Sequence, residues 1–266
     1  MEHEDYEHIL FSHEDDVLRV TLNRPECMNA VNERLHYELA HVWDTAERDP
    51  EVAVILVEGA GGNFCSGGDL EMVERMANDP NLTVALVDET ADIAYGMINC
   101  SKPIVSAIQG MTIGAGMLVA MLADVSVVAE TARLTDGHSR IGVVAGDHAV
   151  LIWPLLCGMA KAKRYLLTGE FLTGAEAEAI GLVSACVPHD QVPVEAMRFA
   201  RKLAERDPLA LNWTKRALNH WLRSAGSAFE HSLALEMLSF SQPGVKRELA
   251  RLRTAKEAKQ AQAASG

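Results

Sequence analysis

The spacing of hydrophobic and polar positions changes period several times along the chain, and each change marks an element. Residues 8–13 and 17–22 alternate, most clearly in Val17-Leu-Arg-Val-Thr-Leu22. They flank the acidic turn Glu14-Asp15-Asp16, which predicts two paired strands. Asn32 then stands as an N-cap, and Leu35, Leu39, Val42 and Trp43 recur at helical spacing to about Arg48. The run Val52-Ala-Val-Ile-Leu-Val57 is continuously apolar and stops at Gly59, as a strand buried on both faces of a parallel sheet does. A glycine-rich loop over residues 59–68 opens a helix near Asp69. The theme repeats with a strand over 103–108, a loop over 110–116, an apolar helix over 117–122 and a strand over 124–129. From about Pro188 the spacing is wholly helical, over 194–206, 208–222, 225–240 and 245–264.

This alternation predicts an α/β core with crossover connections over residues 1–190. A C-terminal helical extension follows over 191–266, with no low-complexity linker between them. Hydrophobic residues make up 48% of the 266 positions and charged residues 23%, the balance of an ordinary globular chain. A net charge of −13 gives no support to phosphate-backbone binding, so nucleic acid is not an expected partner. The same charge means that a coenzyme A ligand would need a local cationic patch. The five cysteines (Cys27, Cys65, Cys100, Cys157, Cys186) are scattered, with no C-x-x-C spacing; they read as reduced, packed thiols, not as a metal or disulfide framework. Residues 1–8 are acidic and lack the apolar stretch of a signal peptide. No apolar run approaches the ~20 residues of a membrane span. The expected setting is the cytoplasm, with no membrane, metal or tightly bound cofactor.

Two glycine-rich loops follow buried strands and open helices: Asn63-Phe-Cys-Ser-Gly-Gly-Asp-Leu70 and Gly110-Met-Thr-Ile-Gly-Ala-Gly-Met117. Small residues at a helix N-terminus leave backbone N–H groups open to a ligand, in the positive field of the helix dipole. Two such ends aimed at one point would form an oxyanion hole.

Several segments together resemble the enoyl-CoA hydratase (crotonase) superfamily. Leu22-Asn-Arg-Pro25 with Met28-Asn-Ala30 resembles its N-terminal pattern, and Phe64-Cys-Ser-Gly-Gly-Asp-Leu70 resembles its first oxyanion loop. Lys102-Pro-Ile-Val, Gly110, Gly114-Ala-Gly116 and Ala123-Asp124 resemble the second loop. Thr168-Gly-Glu and Ala179-Ile-Gly-Leu-Val183 resemble a later helix–turn–strand stretch. The resemblance implies a crotonase-like spiral of ββα units, with the backbone N–H groups of Gly68 and Ala115 as oxyanion donors. It also implies a trimer, or a dimer of trimers, built on the C-terminal helices. For a CoA thioester it implicates Arg24, Ser66, Asp69 and Leu70, while Phe240, Lys246 and residues 247–256 only loosely resemble the family's C-terminal contacts.

One departure bears on the reaction. The family's hydratases carry two glutamates; the matching positions here are Leu118 and, fourteen residues beyond Asp124, His138. In their place stands Asp136-Gly-His-Ser-Arg-Ile-Gly-Val-Val-Ala-Gly-Asp-His148, followed by Trp153-Pro154. This stretch resembles the β-diketone hydrolase branch typified by 6-oxocamphor hydrolase, with His138 and Asp147 nine residues apart. A histidine with a pKa near ~6.5 suits general base work on water, and a carboxylate can fix its tautomer. The expectation is therefore His138 as base, with Asp147 as its orienter or as the proton donor to an enolate carbon. The reaction expected first is hydrolytic C–C cleavage (retro-Claisen) of a β-dicarbonyl compound. An enoyl-CoA hydratase or isomerase with displaced acid/base groups is the alternative, and a catalytically silent structural or RNA-associated member is a third.

Plainer readings accompany these. Asp147 could cap the helix beginning near Ala149, and His148 is expected to be exposed on that helix's first turn. Asp136 would serve the turn before Gly137, Asp69 would cap its helix, and Cys65 would be a packed thiol. Arg140 reads equally as a ligand contact or a solvated side chain.

Overall fold

The computed structural model of the chain describes residues 1–264, with side chains through 255. Its strands are β1 (Ile9–Glu14), β2 (Val17–Leu22), β3 (Val54–Gly59), β4 (Ile104–Ile108), β5 (Met111–Ile113), β6 (Val125–Ala129), β7 (Arg133–Thr135), β8 (Leu172–Thr173) and β9 (Ala185–Val187). The helices are α1 (Glu33–Arg48), α2 (Leu70–Met76), α3 (Pro80–Asn99), α4 (Ala115–Leu122), α5 (Ala149–Thr168), α6 (Gly174–Ala179), α7 (Val192–Ala204), α8 (Pro208–Leu218), α9 (His220–Ser224), α10 (Gly226–Phe240) and α11 (Pro243–Ala264).

Six strands form the main sheet in the order β1-β2-β3-β4-β6-β9. The β1–β2 hairpin is antiparallel, and every pairing after it is parallel, as the unbroken apolar runs of β3 and β4 require. A three-stranded sheet, β5-β7-β8, lies across the layers. The succession of strand-and-helix units with its helical C-terminus is the mixed α/β architecture that the alternating pattern predicts.

Three differences from the expected elements have local causes. The loop over 110–116 contains β5, because Met111–Ile113 pairs in parallel with β7, and α4 starts at Ala115. The helix expected over 208–222 divides at Asn219, whose side-chain amide donates to the Ile98 carbonyl at 3.0 Å. Helix α7 falls beyond the anticipated boundary at 190, yet its Val192, Ala196, Met197 and Ala200 join the same buried cluster as the strands. Packing is therefore continuous where the mixed pattern gives way to helices. A smaller apolar cluster lies under the C-terminal end, where Met72, Val73 and Met76 of α2 and Leu86 of α3 share a core with Phe240, Val245 and Leu249. That cluster closes one side of the cavity described next. Among the described residues no helix is long and apolar enough to cross a membrane.

Candidate active site

The two glycine loops meet as the sequence pattern requires. Cys65 N–H donates to the Met111 carbonyl at 3.1 Å, and Ile113 N–H donates back to the Cys65 carbonyl at 2.9 Å. A side chain at Gly116 would sit 2.5 Å from the Cys65 carbonyl oxygen, so glycine lets the loops touch. On the outer side Val31 bridges Gly68: Val31 N–H donates to the Gly67 carbonyl at 2.8 Å, and Asp69 N–H donates to the Val31 carbonyl at 2.7 Å. That pattern uses the groups on either side of Gly68 and turns the Gly68 N–H away. Ala115 is the first residue of α4, so its N–H has no partner within the helix. Among the described residues neither N–H enters a backbone hydrogen bond, and both residues line one cavity of about 280 Å³.

A cluster of acids and histidines lines the same cavity next to the second loop, where Gly114 N–H donates to the Asp136 carbonyl at 3.1 Å. His138 opens a one-turn 3-10 helix between two left-handed glycines, Gly137 and Gly142. Asp136 accepts from the His138 backbone N–H at 3.2 Å and from ring Nδ1 at 3.1 Å, which orients the ring. The other ring nitrogen, Nε2, then lies 3.7 Å from Asp147 and 3.6 Å from Glu236 of α10. His148 is wholly buried behind them, its Nδ1 2.5 Å from Asp147.

Charges this close and this buried set one another's protonation. Burial opposes charge on His138, but Asp147, Asp136 and Glu236 together raise its pKa well above the ordinary histidine value. Desolvation would raise Asp147 as well, but His148 and His138 outweigh it and hold the carboxyl well below the usual carboxylate range. Glu236 goes the other way: desolvation, reinforced by Asp147 and Asp136, pushes it up to about 8. Near neutrality the cluster therefore holds an imidazolium, an ionised Asp147 and a protonated Glu236. The His138 ring is thus held above the ordinary histidine value of ~6.5, and Glu236 joins Asp147 as a candidate proton carrier.

Glu236 was not foreseen. It stands on the same helical stripe as Phe229, Leu233 and Phe240, so its signal was a carboxylate placed on an apolar face. Gly146 allows its approach. A Cβ there would meet the Ser232 carbonyl at 2.5 Å and Glu236 Oε2 at 2.6 Å, and Ser232 Oγ donates to the Gly146 carbonyl at 2.9 Å.

The remaining expected residues divide. Ser66 and Leu70 line the cavity with Gly68, and so does Phe240. Arg24 and Asp69 stand behind it, paired at 3.5 Å; the Arg24 guanidinium also donates to the Ala30 carbonyl, and Asp69 caps α2 by accepting from Glu71 N–H at 3.0 Å. Lys246 is exposed, and the side chain of Lys256 lies outside the described residues. Asp147 does not cap α5: that position is His148, which makes no capping bond and is buried, not exposed. Asp136 serves the histidine as well as the turn. Arg140 faces away, donating to the Gly169 carbonyl at 3.2 Å with its guanidinium over Phe171. Cys65 is buried and its thiol is pushed up to about 12 by desolvation, as a packed thiol should be. Leu118, at the first vacated glutamate position, is buried. Asp136, His138 and Asp147 offer ligand atoms within 4.8 Å of one another, as do His3, His13 and Asp49 near the N-terminus.

A fold in which two strand-to-helix corners present free amides to a cavity walled by acid/base groups defines an enolate-stabilising enzyme scaffold. The enoyl-CoA hydratase/isomerase family model matches residues 12–260, and the chain belongs to that family. It is an enzyme of the crotonase superfamily. It is 32% identical over 234 residues to a 2,3-dehydroadipyl-CoA hydratase of Escherichia coli (strain K12), covering 88% of this chain and 89% of the relative. It is 30% identical over 202 residues to an (E)-benzylidenesuccinyl-CoA hydratase of Thauera aromatica, covering 76% and 78%. Among solved structures, an enoyl-CoA hydratase/isomerase from Mycobacterium paratuberculosis superposes with a TM-score of 0.89 at 32% identity, covering 93% of this chain and 99% of that one.

Proposed function

We propose that the protein binds the carbonyl of an acyl-CoA thioester at the Gly68 and Ala115 N–H groups. It then hydrates or isomerises the adjacent double bond through an enolate, using His138, Asp147 and Glu236 in place of two glutamates. The observation that carries this reading is that two unengaged amides and a proton-holding cluster line the same cavity. The relatives' names support the thioester.

In hydration, water oxygen bonds to the β-carbon and its proton passes to Asp147. The double-bond electrons move onto the thioester oxygen, where two N–H donors stabilise the charge. The enolate then returns its electrons to the α-carbon, which takes a proton from the His138 imidazolium or the Glu236 carboxyl. The donor is left neutral or ionised, and the proton on Asp147 restores it. Isomerisation needs no water: the α-carbon of a β,γ-enoyl thioester gives its proton to the cluster, and the dienolate held at the two amides takes one back at the γ-carbon. Arg24, already tied to Asp69 and Ala30, serves the thioester by fixing the first loop.

A second reading is favoured by one observation: both family glutamates are absent, and the His138/Asp147 pair stands nine residues apart as in 6-oxocamphor hydrolase-like enzymes. Here the water oxygen bonds to one carbonyl carbon of a β-dicarbonyl compound while its proton passes to Asp147, which later restores the donor. The C–C bond to the neighbouring carbon breaks, the enolate oxygen rests on the same two amides, and His138 or Glu236 protonates the carbon. Purified protein incubated with crotonyl-CoA and, separately, with a bicyclic β-diketone distinguishes the two. Loss of enone absorbance supports the first reading, and release of a keto acid without thioester consumption replaces it by the second. By the same reading the chain self-associates as a trimer through the face bearing Trp213, Leu218 and Trp221, all strongly exposed. Sedimentation as a monomer at micromolar concentration would remove that part.

A further inference from the structure

The cavity has a second polar group that neither reaction uses. On the wall made by α1 and α3, His36 is buried, with Nδ1 2.7 Å from Glu89 Oε2 and Nε2 3.2 Å from Thr90 Oγ1. His36 and Thr90 both line the cavity, among the apolar side chains of Leu70, Val73, Leu86 and Val87. The Thr90 hydroxyl donates its proton to the Leu86 carbonyl at 2.8 Å, so its oxygen is left to accept from the ring. The Glu89 carboxylate accepts at the other ring nitrogen. Among the described residues no hydrogen bond or ion pair joins this group to the cluster around His138.

Holding α1 against α3 does not require a polar ring there, because the two helices already share the apolar core through Leu35, Leu39, Ile93 and Met97. The ring instead sets a polar edge on a cavity wall that is otherwise apolar, where a ligand oxygen would find a partner. Its Nε2–H is the less committed one: 3.2 Å is at the long end for an N–H···O bond, which leaves the proton available to share with a ligand oxygen.

We propose that His36, held by Glu89 and Thr90, receives an acceptor oxygen on the part of the substrate remote from the reacting carbonyl. The substrate is then oxygenated at two points, with a keto group or a carboxylate at the second. The proposal rests on the reading that the first carbonyl occupies the Gly68 and Ala115 amides.

Calorimetric titration of the full chain with hexanoate, 5-oxohexanoate and adipate tests it. A shared carboxylate stands in for the first carbonyl, and the three ligands differ only at the distal end. Adipate or 5-oxohexanoate binds up to roughly tenfold more tightly than hexanoate, the range of one added hydrogen bond. His36→Phe removes that preference and leaves hexanoate binding unchanged. Glu89→Gln, at a partly exposed position, weakens the preference without removing the ring, and it stands in if the phenylalanine variant does not fold. Equal binding of all three ligands to the native chain, binding of none, or an equal loss of all three in the variants overturns the inference. The preferred ligand of the two identifies the distal group. Turnover is read separately. If neither thioester nor diketone reacts while adipate still binds through His36, the proposed reactions fail and this inference stands.

Discussion

The two walls of the cavity are built from different materials. One offers backbone amides at Gly68 and Ala115, fixed by loop-to-loop hydrogen bonds and by a bridge to Val31. The other offers the side chains of Asp136, His138, Asp147 and Glu236, gathered from one loop and a distant helix. The first wall depends on the chain path and not on side-chain chemistry, so alanine at 115 can present its amide while Gly116 must stay small. The second depends on each titratable group, because each sets the charge of its neighbours. A scaffold divided in this way can retain carbonyl polarisation while its proton chemistry is rewritten.

That contrast is tested most severely by His138→Ala. It removes the group that both hold the proton cluster together and face the amides, and turnover should fall by roughly 10²–10⁴-fold, the range of general acid–base catalysis. A wild-type rate in steady-state assays would dissolve the second wall as a functional unit. Ala115→Pro attacks the first wall alone. Proline is tolerated at the first position of a helix but has no N–H, so circular dichroism should stay unchanged while kcat falls by roughly 10²–10³-fold. Retained activity would mean that the amide does not carry the oxyanion.

Glu236→Gln should act through pH. The carboxyl is raised from 4.5 to about 8 on folding, so between those values the folded chain binds a proton that the unfolded chain lacks. Its contribution to stability is full below the lower value and lost as pH rises through the higher one. Urea unfolding at about pH 5 and about pH 8.5 should show a smaller drop for the glutamine variant than for the native chain. The variant should also lose any alkaline limb of activity near about pH 8, where Glu236 ceases to be a donor. Gly146→Ala forces a side chain against a backbone carbonyl and Glu236, and overpacking of this kind costs roughly 1–3 kcal/mol, measurable by the same unfolding method. The smallest effect is expected of Arg140→Ala. Its partners are Gly169 and Phe171, outside the cavity, so kcat should stay within about twofold of wild type.

The sequence made the amide wall readable because glycines after buried strands, followed by apolar helices, constrain the backbone directly. Asn32 and Asp69 were legible as caps for the same local reason. His138 and Asp147 could be paired because their nine-residue spacing resembles that of one branch of the superfamily. Glu236 could not, since its contact with that loop depends on how α10 docks over Gly146, and no local pattern encodes the docking. His148 was misread as exposed because a first-turn position carries no information about which way the helix faces. The surrounding acids also changed His138 itself: a residue read alone as a neutral base is held as a cation once three carboxyl groups converge on it.

The seating of α10 on Gly146 has a consequence for biogenesis. A nascent chain that has emerged only through α9 already contains both glycine corners and the histidine turn, yet lacks the carboxyl that completes the proton store. Competence therefore arrives late, with the docking of the last two helices, which bring both that carboxyl and the Phe240 and Leu249 side of the cavity.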